Sequence, residues 1–439
     1  MKITIIGFGY IGAVIGATFS EMGHKVIAID TNEKVINDLN LGKCNIPEPQ
    51  LKDLISQQVK DGNLRGSHNF EEVSTSEVVL VTVGTPLSEN FDADLDAISN
   101  VFSQLSQNVI DNQIIMLKST VPPGVTRQMY DNFLKDIKNV YVGFSPERLA
   151  EGNALKELIE LPIIVGGVDE KSTKKCSEFW EATLGVDVIK MSSCESAELV
   201  KLANNQWIDL NIALANELAL LCDSLPYDLD ILEIIEGANS LKKGLHHVNI
   251  LQPSIGVGGY CLTKDPWFVS ALAKNNGLDL EIPKTSRSVN DKMPINAANL
   301  INEFYVTKNN INLEDVKIAI LGYSFKTNSG DIRFSPMQYF IEELFKKGAK
   351  KIYVYDSTID EEALSQSEAI KSDTWQECLS EANCVVYGTA HDDIKEIQPS
   401  DLNELMIGKK FIYDGRRYFS QNDIKELKSM NFKYKGVGR

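Results

Sequence analysis

The first thirty residues constrain the fold more than any other stretch. Lys2–Ile6 is a short apolar, β-branched run and reads as a strand. Gly7-Phe8-Gly9-Tyr10-Ile11-Gly12 follows at once. Ala13–Met22 then reads as a helix, and Lys25–Ile29 as a second strand that ends in Asp30. A strand, three glycines at this spacing, a helix, and a strand ending in an acid 18 residues after Gly12 make a βαβ unit of the dinucleotide-binding kind. Gly7 permits the tight turn, Gly9 lets a pyrophosphate approach the backbone, and Gly12 lets helix and strand close on each other. The phosphates belong at the helix N-terminus, where N–H groups lack a partner within the helix. Asp30 accepts hydrogen bonds from ribose hydroxyls and repels a 2′-phosphate, so the expected cofactor is NAD rather than NADP.

The α/β alternation continues. Val78–Val83 ends in Gly84-Thr85-Pro86, and Ile114–Leu117 ends in Lys118-Ser119-Thr120-Val121-Pro122-Pro123-Gly124. Val140–Gly143 leads into Ser145-Pro146-Glu147-Arg148. Ligands of open parallel sheets bind beyond the carboxyl ends of the strands, so these three loops are expected to share one edge. Thr85 and Thr120 are candidate contacts to the nicotinamide half or to a reacting sugar, and Glu147 is a candidate acid/base. Each loop alone is also ordinary turn chemistry. From Val316 the pattern nearly returns. Val316–Leu321 is a strand, Gly322–Arg333 a long loop, Ser335–Lys347 a helix and Lys351–Tyr355 a strand ending in Asp356. Cys384–Tyr387 and Lys410–Tyr413 add two strands. This second lobe lacks the fingerprint glycines, so no second NAD is expected. Lys326, Arg333, Arg416 and Arg417 lie in loops after strands, where cations suit a diphosphate or simply solvate the surface.

Between the lobes, Cys194–Cys222 reads as a long helix. Leu199, Leu202, Trp207, Leu210, Leu214 and Leu218 give it an apolar surface broad enough for an interior position. Lys201 and Asn205, four residues apart, share one face. A substrate oxyanion would satisfy them, and so would an interface. Asp230–Gly237 is helical and Ser240–Gly259 irregular. They lead to Gly256–Asp265, where Cys261 follows three glycines and precedes Lys264 and Asp265. A neighbouring ammonium favours a thiolate, and a thiolate attacks an aldehyde, with Lys264 or Asp265 moving protons or orienting water. A small buried cysteine in a glycine-rich turn is the other reading.

The 439 residues suffice for two or three domains. Their boundaries are expected at 1–191, 192–310 and 311–439. The formal net charge of −17 argues against a nucleic-acid binder and against adhesion to anionic membranes. No run is apolar and long enough to span a bilayer, and the N-terminus does not read as a signal peptide. Seven cysteines without metal-type pairs suggest reduced thiols, a cytoplasmic protein and no metal site. The expected fold class is α/β: two Rossmann-like doubly wound lobes joined by a long central helix and a helical middle domain. The active site is expected in the cleft between the lobes, and a homodimer through the central helix.

Taken together, these motifs resemble the nucleotide-sugar 6-dehydrogenases, the UDP-glucose/GDP-mannose dehydrogenase family. The resemblance runs in order over nearly the whole chain. It rests on Gly7–Gly12, Thr85-Pro86, Ser119–Gly124, Pro146-Glu147-Arg148 with Glu151-Gly152, and Lys201–Asn205. It continues through Gly258–Asp265, Phe325-Lys326 with Asp331–Arg333, and Asp414–Arg417. It implies oxidation of a hexose C6 alcohol to the carboxylate with two NAD. Cys261 is then the nucleophile, and Lys201, Asn205, Asp265, Glu147 and Thr120 share the catalysis. It implies Gly7, Gly9, Tyr10, Ile11, Gly12, Asp30, Lys34, Thr85, Thr120, Lys264 and Arg333 around the cofactor. Around a UDP-sugar it implies Glu147, Arg148, Leu149, Lys201, Asn205, His247, Tyr260, Cys261, Phe325, Lys326 and Arg416. Pro146-Glu147-Arg148, Val257-Gly258-Gly259 and Lys326-Thr327-Asn328 resemble the N-acetylhexosamine branch. Glu151-Gly152 and Lys264-Asp265 resemble the UDP-glucose branch. UDP-N-acetylmannosamine is the expected substrate, with UDP-glucose and then UDP-N-acetylglucosamine as alternatives. Relatives commonly carry, before Val-Asn, an Arg that reaches the neighbouring subunit; here His247 stands in that place. Two rivals remain at this point. A two-electron hydroxyacid dehydrogenase has no use for Cys261, and a non-catalytic NAD-binding regulator leaves Glu147, Lys201, Asn205, Cys261 and Asp265 without a task.

Overall fold

A computed structural model describes residues 1–88 and 92–439 of the chain. They form two compact units, Met1–Asn204 with Trp267–Leu278, and Asn205–Pro266 with Asp279–Arg439. The first unit is built on strands β1 (Lys2–Ile6), β2 (Lys25–Ile29), β3 (Leu64–Ser67), β4 (Val78–Val81), β5 (Ile114–Leu117), β6 (Tyr141–Phe144), β7 (Ile163–Gly167) and β8 (Val188–Lys190). Their order in the sheet is β3-β2-β1-β4-β5-β6-β7-β8, parallel except where β7 runs against β6. Helices cover both faces. Ile3, Ile5, Val78 and Leu80 feed one buried cluster, while Ile6, Val79 and Val81 feed the other. A strand buried on both faces needs apolar residues at every position, which is why β4 reads Val-Val-Leu-Val.

The second unit carries a short antiparallel hairpin, β9 (Lys242–Lys243) with β10 (His246–His247), inside the segment expected to be irregular. Its main sheet consists of β11 (Lys317–Leu321), β12 (Lys351–Tyr355), β13 (Ile370–Lys371), β14 (Cys384–Tyr387), β15 (Phe411–Asp414) and β16 (Lys433–Gly436). All neighbours are parallel, in the order β13-β12-β11-β14-β15-β16. This repeats the 3-2-1-4-5-6 arrangement of the first six strands of the first sheet, a doubly wound topology whose order reverses beside the central strand. Short strands β3, β7, β8, β13 and β16 escaped the sequence reading. Most are short edge strands with few apolar residues, such as Leu-Arg-Gly-Ser in β3, whereas β7 is apolar at Ile163–Val165 and lies next to the edge.

The helix Cys194–Ser224 contributes residues to both units. Its buried polar residues Glu198, Asn205, Asp209 and Asn216 each find a partner, although Asp209 Oδ2 has none. Asp209 is fully buried and accepts from Arg287 at 2.7 Å and from Asn290 at 2.8 Å. Asn216 bridges Asn290 and the Ser254 amide. These pairings let polar side chains sit on the buried face of the helix. Leu199, Trp207, Leu210 and Leu214, expected from the sequence to be interior, are instead 39–48% exposed, because only one face of the helix packs against the core. Among the described residues, no helix is long and apolar enough to cross a membrane.

Candidate active site

The reversal between β1 and β4 opens the first crevice. Gly7 has φ +92°, and a Cβ there would lie 2.9 Å from the Val83 nitrogen. A Cβ on Gly12 would lie 2.1 Å from the Gly7 oxygen, whereas one on Gly9 would meet nothing within 4 Å. Gly7 and Gly12 are therefore required for packing, and Gly9 leaves open space in front of the helix Tyr10–Glu21. That helix has no side-chain cap on its N-terminal amides. An uncapped helix N-terminus facing a clear approach fits a pyrophosphate. The helix begins at Tyr10 rather than Ala13, because the turn uses only Gly7–Gly9. Asp30, at the end of β2, holds the turn by accepting from the Phe8 amide at 2.7 Å and from the Asn32 amide at 2.9 Å. Ile11 packs beside the adjoining core cluster. Lys34 is exposed on the helix Glu33–Asn40. The Tyr10 hydroxyl donates to Glu48, whose carboxylate also takes the Gly152 amide at 2.6 Å and the Ala154 amide at 2.7 Å.

The loops after β4, β5 and β6 do share one edge. Thr85 Oγ1 donates to the Thr120 carbonyl at 2.7 Å, Ser119 Oγ to the Val83 carbonyl at 2.6 Å, and Lys118 Nζ to the Ser145 carbonyl at 3.2 Å. Glu147 is buried. One oxygen accepts the Leu149 amide at 2.7 Å, and the other lies 3.5 Å from Lys118 Nζ. Arg148 turns back to the Pro162 carbonyl, and burial holds its pKa below the usual value. Behind Thr120, Glu198 is fully buried and accepts the Gly124 amide at 2.6 Å and the Thr126 amide at 2.7 Å. Burial pushes this carboxyl up to about 7 despite those donors. Lys201, one turn further along the same helix, is half-buried.

In the second unit, Cys261 lies in the first turn of the helix Tyr260–Asn275 rather than in a loop. Of the seven cysteines it alone is exposed; Cys44 is half-buried and the rest are buried. Asp265, fully buried one turn later, takes the Lys264 ammonium on one oxygen at 2.8 Å and the Asn205 amide nitrogen on the other at 2.5 Å. Asn205, Asp265 and Lys264 thus form a buried hydrogen-bonded chain, with Lys264 and Asp265 one turn beyond the thiol on its own helix. Before the thiol, Gly258 and Gly259 leave room for Phe325. A Cβ on Gly259, where φ is +89°, would sit 2.7 Å from the phenyl ring. The Gly259 amide donates to the Arg333 carbonyl at 3.1 Å, and the Arg333 guanidinium lies 5.5 Å from the Tyr260 ring centre. Arg416 donates to the Gly388 carbonyl at 2.7 Å and the Phe325 carbonyl at 3.1 Å, and burial lowers its pKa to about 10. It braces the segment that carries Phe325 and half-buried Lys326. His247 is exposed on β10, away from these contacts.

In the second lobe the acid corresponding to Asp30 is Asp356. It is buried and occupied: it accepts the Tyr323 and Ser324 amides at 2.8 and 2.9 Å, Thr358, and His391 at 3.0 Å. Burial alone would raise its pKa, but His391 and the amides outweigh that and hold it well below the carboxylate range. Its carboxylate fastens the Tyr323–Asn328 segment instead of facing a ribose. Sequence reasoning passed over Lys118, Glu198, Glu48 and the Asp356–His391 pair. Lys118 was visible as the residue ending β5, and Glu198 as the acid one turn before Lys201. Asp356 was visible as the acid ending its strand, but nothing in the spacing announced Glu48 or His391, whose partners are remote in sequence.

Two doubly wound nucleotide-binding lobes with an exposed helix-borne thiol beside a buried Asn–Asp–Lys chain define an oxidoreductase of the dinucleotide-dependent class. Comparison with known proteins agrees along the chain. The UDP-glucose/GDP-mannose dehydrogenase family's NAD binding domain matches residues 1–184, its central domain 195–292 and its UDP binding domain 319–421. A UDP-N-acetyl-D-mannosamine dehydrogenase of Methanococcus maripaludis strain C7 is 32% identical over 443 residues, covering 100% of this chain and 97% of that protein. Its counterpart in M. maripaludis strain S2 is 33% identical over 419 residues, covering 94% and 92%. The solved UDP-D-ManNAc dehydrogenase of Pyrococcus horikoshii superposes with a TM-score of 0.88 at 30% identity, covering 100% of this chain and 99% of that one. The chain belongs to the UDP-glucose/GDP-mannose dehydrogenase family.

Proposed function

We propose that the protein oxidises the C6 alcohol of UDP-N-acetylmannosamine to the carboxylate, releasing two NADH per sugar. The observation that carries this reading is the single exposed cysteine in a helix's first turn, adjoining the buried Asn205–Asp265–Lys264 chain. The names of the similar proteins support the sugar, and the chain's UDP binding domain match supports the nucleotide. Gly7, Gly9 and Gly12 with Asp30 would hold NAD, with Thr85 and Thr120 toward its nicotinamide half. Bound NAD supplies the acceptor for a hydride in each of the two oxidations.

The remaining chemistry belongs to the chain's own residues. Lys201 and, through water, Asp265 take the C6 hydroxyl proton as the aldehyde forms. Cys261 Sγ then bonds to the aldehyde carbon, and its proton ends on the oxygen, giving a thiohemiacetal. Loss of that hydroxyl proton, together with the second hydride, leaves a thioester. Glu147 accepts a proton from water as the water oxygen adds to the thioester carbon. Asn205 and Lys201 steady the oxyanion. The C–S bond breaks, the sulfur leaves as thiolate and the sugar carries a carboxylate. Holding the intermediate on sulfur keeps the aldehyde from escaping. Lys326, braced with Phe325 by Arg416, binds the substrate's diphosphate side, and Arg148, Leu149 and Tyr260 line the sugar. Lys34, Lys264 and Arg333 remain proposed cofactor contacts, and His247 a contact to the neighbouring subunit's substrate.

We also assign the protein to the cytoplasm and to a homodimer. Trp207, Leu210, Leu214 and Leu221 are 47, 39, 45 and 52% exposed and follow one stripe of the helix Cys194–Ser224, a surface suited to a second copy. The matched stretches support a division into residues 1–191, 192–310 and 311–439. The decisive experiment counts NADH formed per sugar with UDP-N-acetylmannosamine, UDP-N-acetylglucosamine and UDP-glucose in parallel. Two NADH from the first alone supports the whole reading. Two from UDP-glucose alone moves the substrate and keeps the chemistry. One NADH makes the aldehyde the product and removes the covalent role of Cys261.

A further inference from the structure

We infer that Lys118 is a positioning residue for Glu147: its ammonium keeps that carboxylate ionised and fixed for the hydrolytic step. The inference rests on the reading of Glu147 as the acid/base of thioester hydrolysis. Lys118 directly follows β5 and is only 4% exposed. A lysine so buried needs a counterpart, because an isolated ammonium away from water is costly. The nearby carboxylate is Glu147, 3.5 Å away, itself 8% exposed. The ammonium also donates to the Ser145 carbonyl at 3.2 Å and lies 4.9 Å from the centre of the Trp180 ring. Both supports favour a cation at that point. The cavity lined by Lys118, Glu147, Arg148 and Leu149 measures about 20 Å³, room for about one water molecule beside the pair.

The other charged groups near the pair are Arg148 on the loop of Glu147 and Lys201 on the helix Cys194–Ser224, both of which oppose the charge of Lys118, and Glu157, which lines the same cavity and accepts the Ala150 amide at 2.6 Å. Burial pushes the Lys118 pKa down, and Glu147 pulls it back up. The two charges therefore sustain each other. Take the cation away and a buried carboxylate with one amide donor is left, and such a group gains a proton more readily. A protonated Glu147 cannot accept the proton of the attacking water. The defect should fall on hydrolysis and diminish as pH rises. A side chain serving only to fill space would be replaceable by an apolar one of similar length.

The test is stopped-flow kinetics on the full chain with NAD and whichever UDP-sugar yields two NADH. For Lys118→Met the expected result is a preserved burst of two NADH per site followed by steady turnover at least tenfold slower near pH 7. The acid limb of kcat should move to higher pH by a unit or more, with KM for the sugar changing less than kcat. Lys118→Arg should restore most of the parental profile. Lys118→Gln can still donate to the Ser145 carbonyl but has no charge; it should behave as Met does, and it carries the test should the Met variant not fold. Burst and steady rate falling together, or an unmoved pH profile in both uncharged variants, would overturn the inference. Glu147→Gln, run alongside, separates the two failures. If it hydrolyses the thioester at the parental rate, the reading of Glu147 is wrong. If it stalls while the uncharged Lys118 variants do not, Lys118 has no part in the step.

Discussion

Asp265 has both carboxylate oxygens in use, so its loss removes a partner from two groups at once. Asp265→Ala takes away the buried carboxylate paired with the Lys264 ammonium and should destabilise the fold by about 3–5 kcal/mol. Chemical denaturation reads this directly. Cys261→Ser, by contrast, alters an exposed side chain and should leave stability within about 0.5 kcal/mol. It should yield at most one NADH per sugar; full conversion to the acid would refute the covalent scheme. Glu198 adds a pH signature. Its folded pKa of about 7 lies above the ordinary value of 4.5, so the folded state holds its proton where the unfolded chain has released it. That contribution is fully present below about pH 4.5 and is lost as pH rises through about 7. Glu198→Gln lacks the titration. Measured against the parent, its stability should improve between about pH 5 and pH 8 by up to about 3 kcal/mol. Melting curves for both proteins across that range check the sign.

At the level of elements, two glycines separate cofactor from substrate. Gly12→Ala would press a methyl group to 2.1 Å from the Gly7 oxygen, so the turn must open. NAD affinity should fall at least tenfold, together with a lower Tm. Gly259→Ala would meet the Phe325 ring and adopt an unfavourable positive φ. Its effect should fall on the sugar's KM rather than on NAD, and isothermal titration with each ligand distinguishes the two. The βαβ start was legible because its signal is local: strand, turn, helix and acid lie within thirty residues. The helix under Cys261 was not, since Gly256–Gly259 reads as a glycine-rich turn and Pro266 disfavours a helix running through it. Pro266 has no amide to bond the Leu262 carbonyl, and Arg287 approaches that oxygen at 3.5 Å instead. A partner from another helix makes the proline tolerable, and sequence offers no hint of it.

For the whole molecule, the proposed homodimer makes a simple demand. Leu214→Asp puts a charge in the middle of the exposed stripe on the helix Cys194–Ser224 and should shift the protein toward monomer in sedimentation. An unchanged mass would remove that face from the interface. The sequence by itself determined the doubly wound class of both lobes, the NAD turn and the proposed nucleophile Cys261. Each is written in short-range periodicity or in side-chain chemistry that does not depend on distant partners. Only the tertiary structure decided that Arg416 braces the Phe325 segment, that Asp356 is spent on His391 and backbone amides, and that Lys118 lies under Glu147. Those assignments depend on which buried charge meets which donor. Desolvation makes every such meeting obligatory, but the choice of partner comes from chain segments tens of residues apart.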